Sequence, residues 1–542
     1  MKSPYAPATK KTIPVILVTG GLDYSTDRFQ ADPSFLLDAW DIDPQVGGGW
    51  AQRHGVIPFT PDDMATQVGF LGQYETTGVS QVIIGLKNGH IRYSPGLGNP
   101  SASVTTAFTG RTPFGVQAQG KFYIQDGVNV PRSWDGAALT TLVVPGYNGE
   151  TWTPDSVFSG GKMPIGVAIE THQSRLWVLQ ADGLLRYSFP FIGNAGPEDW
   201  GSDDYFPIDP GTSGQNGVAM KAAGDRLYVF KSDSVYNVLG WDPDNFQSFS
   251  VSRGLGVLSP YAICSDGTSV FGWDAGEGLF AVSDGKASVI GKPLRRLIGS
   301  RITDPASVVL GIVDQQLWCS VVLDGERCCF VLDFRTKCWT KYRLKMSAFL
   351  HYMPNTGVSR PLGASWYENR PNRVLELNVD RDDDSWGSTV YDIQTYVQTA
   401  WLHDNLVNVP KMWDYTDYVV DLPPSASINV VVDKDWGTGG SLAAGSIEAP
   451  SSPPAFTFDS SIMTDKKKER LSPDSPLTDR PWRDENGADV MMSKDPPTTR
   501  MRIPFQAFEA TAVRFNFYGP SPSKRHAVRL FAPSYRPSRR PL

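Results

Sequence analysis

Cys319, Cys328, Cys329 and Cys338 fall within twenty residues of one another. Thiolates gathered that densely are a ligand set that zinc selects, so a metal is the first chemistry to weigh. With Cys264 the count is five, an odd number. No C-x-x-C pair and no nearby His accompanies them, and the spacing is not that of a small disulfide scaffold. They read as buried free thiols. Asp380, Asp382 and Asp384 alternate like the front of a calcium loop. Gly387 comes too late for that loop, and no Glu stands where its last bidentate ligand belongs. The run reads as a solvated turn at a domain boundary. Gly47-Gly48-Gly49 lacks the Gly-Lys-Ser/Thr ending of a phosphate loop and reads as a flexible turn.

His54, His90, His172, His351, His403 and His526 stand in no recognisable motif. There is no G-x-S-x-G elbow and no H-E-x-x-H. Asp203-Asp204 is a carboxylate pair in a loop context. The expected site list is therefore empty: catalytic none, cofactor-binding none, metal none. A propeller carbohydrate-active enzyme stays open as an alternative, because such enzymes work with separated carboxylates that carry no local motif.

The elements that would position any site repeat along the chain. The unit is clearest from Gly217 to Val238: an apolar strand, a Gly224-Asp225 turn, the strand Arg226-Leu227-Tyr228-Val229-Phe230, a polar turn and a third strand. Its middle strand recurs at Gln81–Ile84, Lys121–Ile124, Arg175–Val178, Ser269–Gly272, Gln316–Cys319 and Gly363–Tyr367. That makes seven units, spaced as four-stranded propeller blades are. No Trp-Asp dipeptide recurs in register: Trp134-Asp135, Trp241-Asp242 and Trp273-Asp274 sit at different places. A stack of β-sandwiches is the rival arrangement.

High Gly (52) and Pro (42) suit many tight turns, and the expected class is all-β: a propeller of about six to seven blades followed by a β-sandwich-like domain. The best short helical pattern is Pro33 to Asp41, with Phe35, Leu36, Ala39 and Trp40 on one face. Residues 1–62 form an expected N-terminal extended segment, 63–380 the propeller, and 381–435 with 501–535 the sandwich. Residues 436–500, with Lys466-Lys467-Lys468, read as a flexible arm whose charges are solvated. Residues 536–542 form a basic tail. Thr389 to Thr399 reads as one long two-faced strand. Two insertions, 147–162 and 189–214, read as exposed loops. A net charge of −7 argues against tight gripping of nucleic acid. Neither a signal peptide nor a membrane-length apolar run is expected.

These features, in order, resemble the nozzle or tail-tubular-B type of β-propeller tail protein of short-tailed bacteriophages. The matching features begin with Leu22-Asp23 in a Gly-rich opening and Arg53-His54-Gly55 before the first blade. The Arg226–Lys231 and Ser234-Val235-Tyr236 pattern follows, then Cys338-Trp339 after Val331-Leu332-Asp333. Last comes Gln394 to Ala400, leading into Lys411-Met412-Trp413. The resemblance implies a virion protein without enzymatic activity or cofactor, assembled in the host cytoplasm. It implies a homohexameric ring, an adaptor above, fibres or spikes around, and double-stranded DNA passing through the joint lumen without sequence-specific binding. The mild acidity fits a wall that repels phosphates. The insertions and the arm are candidates for lumen, neighbour or fibre contacts. A tail hub or receptor-binding module is the alternative within the virion.

Overall fold

The computed structural model describes residues 11–12, 19–106, 108, 110–144, 157–158, 161–192, 196–209, 216–355, 357–368, 370–404, 410–423, 426–437, 441–448, 482–483, 489–490, 498–521 and 526–537. Two compact units emerge. One holds residues 18–47 and 52–401, the other 48–51 and the described residues from Leu402 on, with Lys11–Thr12.

The first unit is a seven-bladed β-propeller. Its inner strands are Val68–Thr76, Phe114–Ala118, Ala168–His172, Gly217–Ala223, Ile263–Ser265, Val309–Val313 and Met346–Tyr352. Each neighbours the next, and the seventh lies against the first, so the ring closes. The strand that recurs in the sequence is the second of each blade. Arg175–Leu179 and Val270–Asp274 show why it is so apolar: every residue is buried, because adjoining blades cover both faces. The cores lie between blades. Trp177 of blade 3, for example, meets Phe246 beside blade 4 with ring centroids 4.9 Å apart.

Aspartates close many of the turns. Asp135 accepts from the backbone N–H of Ala137 and Ala138 (2.9 and 2.7 Å), and Asp274 from Gly276 and Glu277 (both 2.8 Å). The first follows a third strand and the second follows a second strand. The Trp-Asp pairs are out of register for that reason: each Asp serves whichever turn comes next.

The N-terminal segment does not simply precede the blades. Gly55–Pro58 is the fourth strand of blade 7, antiparallel to Val374–Val379 with Leu375 opposite Pro58. Gly21–Leu22 runs parallel to Trp339–Tyr342 of blade 6 through Gly21 and Trp339. Phe35–Trp40, where the pattern suggests a helix, is a strand paired with Gly21–Leu22 and with Tyr396–Thr399. Pairing on both edges outweighs a weak local helical preference. The expected boundary at 381 also moves. Asp383–Trp386 lies parallel to Gly55–Pro58 and forms a hairpin with Thr389–Asp392, so the propeller unit runs to Trp401. The single long strand expected from Thr389 to Thr399 is two strands, broken at Ile393–Thr395.

The second unit is sandwich-like. Lys411–Asp421 lies between Thr498–Ala510 and Ala527–Pro537. Trp50 and Ala51 add to that sheet opposite Val528 and Ala527. Ser427–Lys434 lies between Ser441–Glu448 and Val513–Ser521. Aromatic rings join the two layers: Trp50 to Phe517 at 5.2 Å and Phe531 to Phe515 at 5.5 Å. Ser441–Glu448 thus belongs to the sandwich rather than to the arm. Residues 438–440, 449–481, 484–488 and 491–497 of that arm, including Lys466–Lys468, lie outside the described residues, as do residues 538–542 of the 536–542 tail. Among the described residues no helix is long and apolar enough to cross a membrane.

Candidate functional site

The inner strands enclose a cavity of about 400 Å³ on the propeller axis. Its walls are mostly apolar, with Phe70, Phe114, Met220, Tyr261 and Phe349 among them. A charged pair interrupts them. Glu170 and Lys221 occupy inner strands of blades 3 and 4, and Lys221 Nζ lies 2.7 Å from Glu170 Oε2. Glu170 also accepts from the Thr171 N–H at 3.2 Å. Its carboxylate raises the Lys221 ammonium above its ordinary value. Burial pushes the neighbouring Cys264 thiol well up, so that thiol is unreactive near neutral pH. Gln73 donates to Glu75 Oε2 at 2.6 Å, and Gln117 accepts from the Glu75 N–H at 2.7 Å.

Glu170 is the sole carboxylate among the residues lining this cavity, and Lys221 holds it. The arrangement can orient a small polar molecule against aromatic walls. It does not present the pair of carboxylates flanking one bond that most glycoside hydrolases use.

The second constellation is a buried ion network. Arg53 donates through Nη1 and Nη2 to Asp384 (2.9 and 2.6 Å) and through Nε to Asp41 (2.8 Å). Arg343 reaches the other oxygen of Asp41 at 3.1 Å. Tyr342 stacks beneath Arg53 at 5.7 Å and donates to Asp43. The two carboxylates hold the Arg53 guanidinium well above its ordinary value. Asp384 is therefore neither a calcium ligand nor part of a solvated turn. Its run is drawn into a strand because a buried guanidinium needs a counter-ion.

The other sequence candidates scatter. Cys319, Cys328, Cys329 and Cys338 are buried free thiols, with Cys328 pushed up to about 12 by burial. Among the described residues no group of three or more His, Cys, Asp or Glu is placed to hold a metal. His351 meets Ser359 at 3.0 Å, and His172 is buried, its imidazole held below its ordinary value by desolvation. Gly47, Gly48 and Gly49 all have positive φ, consistent with a turn. Asp204 accepts from the Gly201 N–H at 3.0 Å and closes a local turn.

The two insertions meet each other. Val157–Phe158 pairs with Trp200–Gly201, and the fully buried Trp200 donates to the Lys162 carbonyl at 3.0 Å. Glu198 takes Lys121 at 2.6 Å and the Gly161 N–H at 2.8 Å. These described parts form one small platform beside blades 2 and 3; residues 147–156, 159–160, 193–195 and 210–214 of the two insertions lie outside the described residues. Sequence reasoning missed Glu170 and Lys221. The available signal was Lys221, a charge set inside the otherwise apolar Gly217–Ala223 strand.

No family model and no curated protein matches this chain. Solved structures do. The chain is similar to the computationally designed Ika8 protein (9% identity, TM-score 0.37, covering 60% of this chain and 100% of that one). It is similar to BamB from Moraxella catarrhalis (10%, 0.37, covering 68% and 97%). It is also similar to the extracellular domain of a hybrid two-component system from B. thetaiotaomicron (10%, 0.39, covering 70% of this chain and 55% of that one).

Proposed function

We propose that this chain is a structural virion protein of a short bacteriophage tail, of the nozzle type. Copies form a ring, expected to be a homohexamer, through which the genome is held and then ejected. An adaptor sits above, fibres or spikes attach around it, and the chain itself catalyses nothing. The observation that carries the reading is the order of the modules: an N-terminal stretch threaded into a seven-bladed propeller, then a sandwich. The axis of the propeller is lined by apolar and aromatic side chains around Glu170 and Lys221. In this reading the conduit lies between copies rather than through a propeller. The lone, ion-paired Glu170 weighs against the carbohydrate-active alternative.

Light-scattering mass and negative-stain imaging test the proposal, on the purified chain alone and after mixing with tails that lack it. Six-fold rings with a hole of about 20 Å or more are expected, wide enough for B-form DNA. A monomer that stays apart from tails and cleaves a host glycan would overturn it.

A further inference from the structure

Trp366 opens the turn between the second and third strands of blade 7, and two cations rest on its ring. Lys87 Nζ and Arg327 Cζ each lie 4.0 Å from the ring centroid. The two charges are therefore no farther apart than twice that distance. Lys87 follows the second strand of blade 1 and is exposed. Arg327 lies on the third strand of blade 6 and is only 7% exposed.

Neither has a carboxylate partner among the described residues. Arg327 donates to neutral acceptors, Ser320 Oγ at 3.0 Å and the Ser307 carbonyl at 3.1 Å. The adjacent Glu326 is taken by Lys345 at 2.6 Å. Asp304 is the acid whose charge both cations feel, yet it ion-pairs with neither. Burial holds both cations below their ordinary values, and the charge of Arg327 lowers Lys87 further. Elsewhere in this unit cations mostly find acids, as Arg53, Arg301, Arg360 and Lys341 do. A half-buried pair of like charges held against one indole ring is an arrangement that lacks its counter-ion.

We propose that Lys87, Arg327 and Trp366 form a binding site for a phosphate-type oxyanion. A guanidinium fork and an ammonium are the two donors that phosphate recognition uses. Where the two cations share a side of the ring, a tetrahedral oxyanion accepting a charge-assisted hydrogen bond of about 2.8 Å from each reaches both. Its double charge neutralises both cations at once, which one carboxylate does not. The phosphate can be free or belong to a phosphodiester. The site does not depend on the tail reading.

The test titrates the full chain, in chloride buffer at constant ionic strength, with inorganic phosphate and separately with a short DNA duplex. Calorimetry and thermal shift give the readout. Wild type binds phosphate and gains thermal stability. Lys87→Glu weakens that binding about tenfold or more. It also raises Tm in phosphate-free buffer, because Arg327 then has a carboxylate. Lys87→Met loses binding without that gain in Tm. Competition by the duplex assigns the phosphate to a backbone, and indifference to the duplex assigns it to a free or terminal phosphate. Failure of both probes to bind overturns the proposal, as does equal binding by wild type and Lys87→Glu.

Discussion

Arg53 and Asp384 are 331 positions apart in the chain and meet in a bidentate ion pair inside the propeller unit, Nη1 to Oδ1 at 2.9 Å and Nη2 to Oδ2 at 2.6 Å. The pair joins the segment that enters blade 7 to the strand that leaves it. Removing one partner strands a charge in a buried place. Arg53→Ala is expected to cost about 3–5 kcal/mol in denaturant unfolding, and Arg53→Lys less, since it keeps the charge and loses the fork. A cost near zero for Arg53→Ala would show that the network does not hold the closure.

Gly55 stands in the same short motif for a different reason. A Cβ there would lie 1.9 Å from the Asp383 carbonyl oxygen, so the approach of two backbones leaves no room for a side chain. Gly55→Ala is expected to destabilise by about 1–3 kcal/mol through forced separation of the strands. Thermal unfolding measures it. An unchanged Tm would mean that the two strands part without penalty.

Lys411, in the sandwich unit, is buried and holds its ammonium against the Thr511 carbonyl at 2.9 Å. Burial lowers its pKa to about 8, with Asp404 offsetting part of that effect. The unfolded chain titrates at 10.5, so between pH 8 and 10.5 the unfolded state binds more protons and stability rises with pH. Below pH 8 the full penalty applies. Lys411→Met is expected to be more stable than wild type at pH 7 and to flatten this rise, as read from unfolding midpoints across that range. A wild-type slope of opposite sign would refute the assignment.

Arg370 rests on three rings, 3.5 Å from the centroid of Tyr391, 4.6 Å from Tyr367 and 4.9 Å from Trp386. Tyr391 belongs to the outermost hairpin and Tyr367 to the turn of blade 7, so the guanidinium fastens one to the other. Arg370→Ala is expected to cost about 1–2 kcal/mol. It should also speed hydrogen exchange across Thr389–Asp392 while leaving blades 2 to 5 unchanged. Uniform acceleration over all blades would argue against a local clasp.

The blade unit was legible because its second strand is covered on both sides. Arg226–Lys231 and Gln316–Leu323 therefore write long apolar runs between turn residues, and the seven aligned runs are the seven second strands. The partnership of Gly55–Pro58 with Val374–Val379 was not legible. A four-residue strand has little pattern of its own, and its partner lies at the far end of the unit. Phe35–Trp40 misled for a related reason: apolar on most positions, it fits a helical face as well as an edge pairing. The axial pair and the cations on Trp366 come from different blades. Spacing along one chain cannot bring Glu170 to Lys221, or Lys87 to Arg327; only the ring does so.

That blade 7 takes its last strand from near the start of the chain sets a timetable for synthesis. Gly55–Pro58 leaves the ribosome about 320 residues ahead of its partner, which at 5–20 residues per second is a wait of roughly 15 to 60 s. Throughout that interval six blades can form while both flanks of the gap stay open, with Phe59, Val68 and Leu71 uncovered on one side. The nascent chain is then most exposed to pairing with a neighbour on the same message, and most in need of a chaperone.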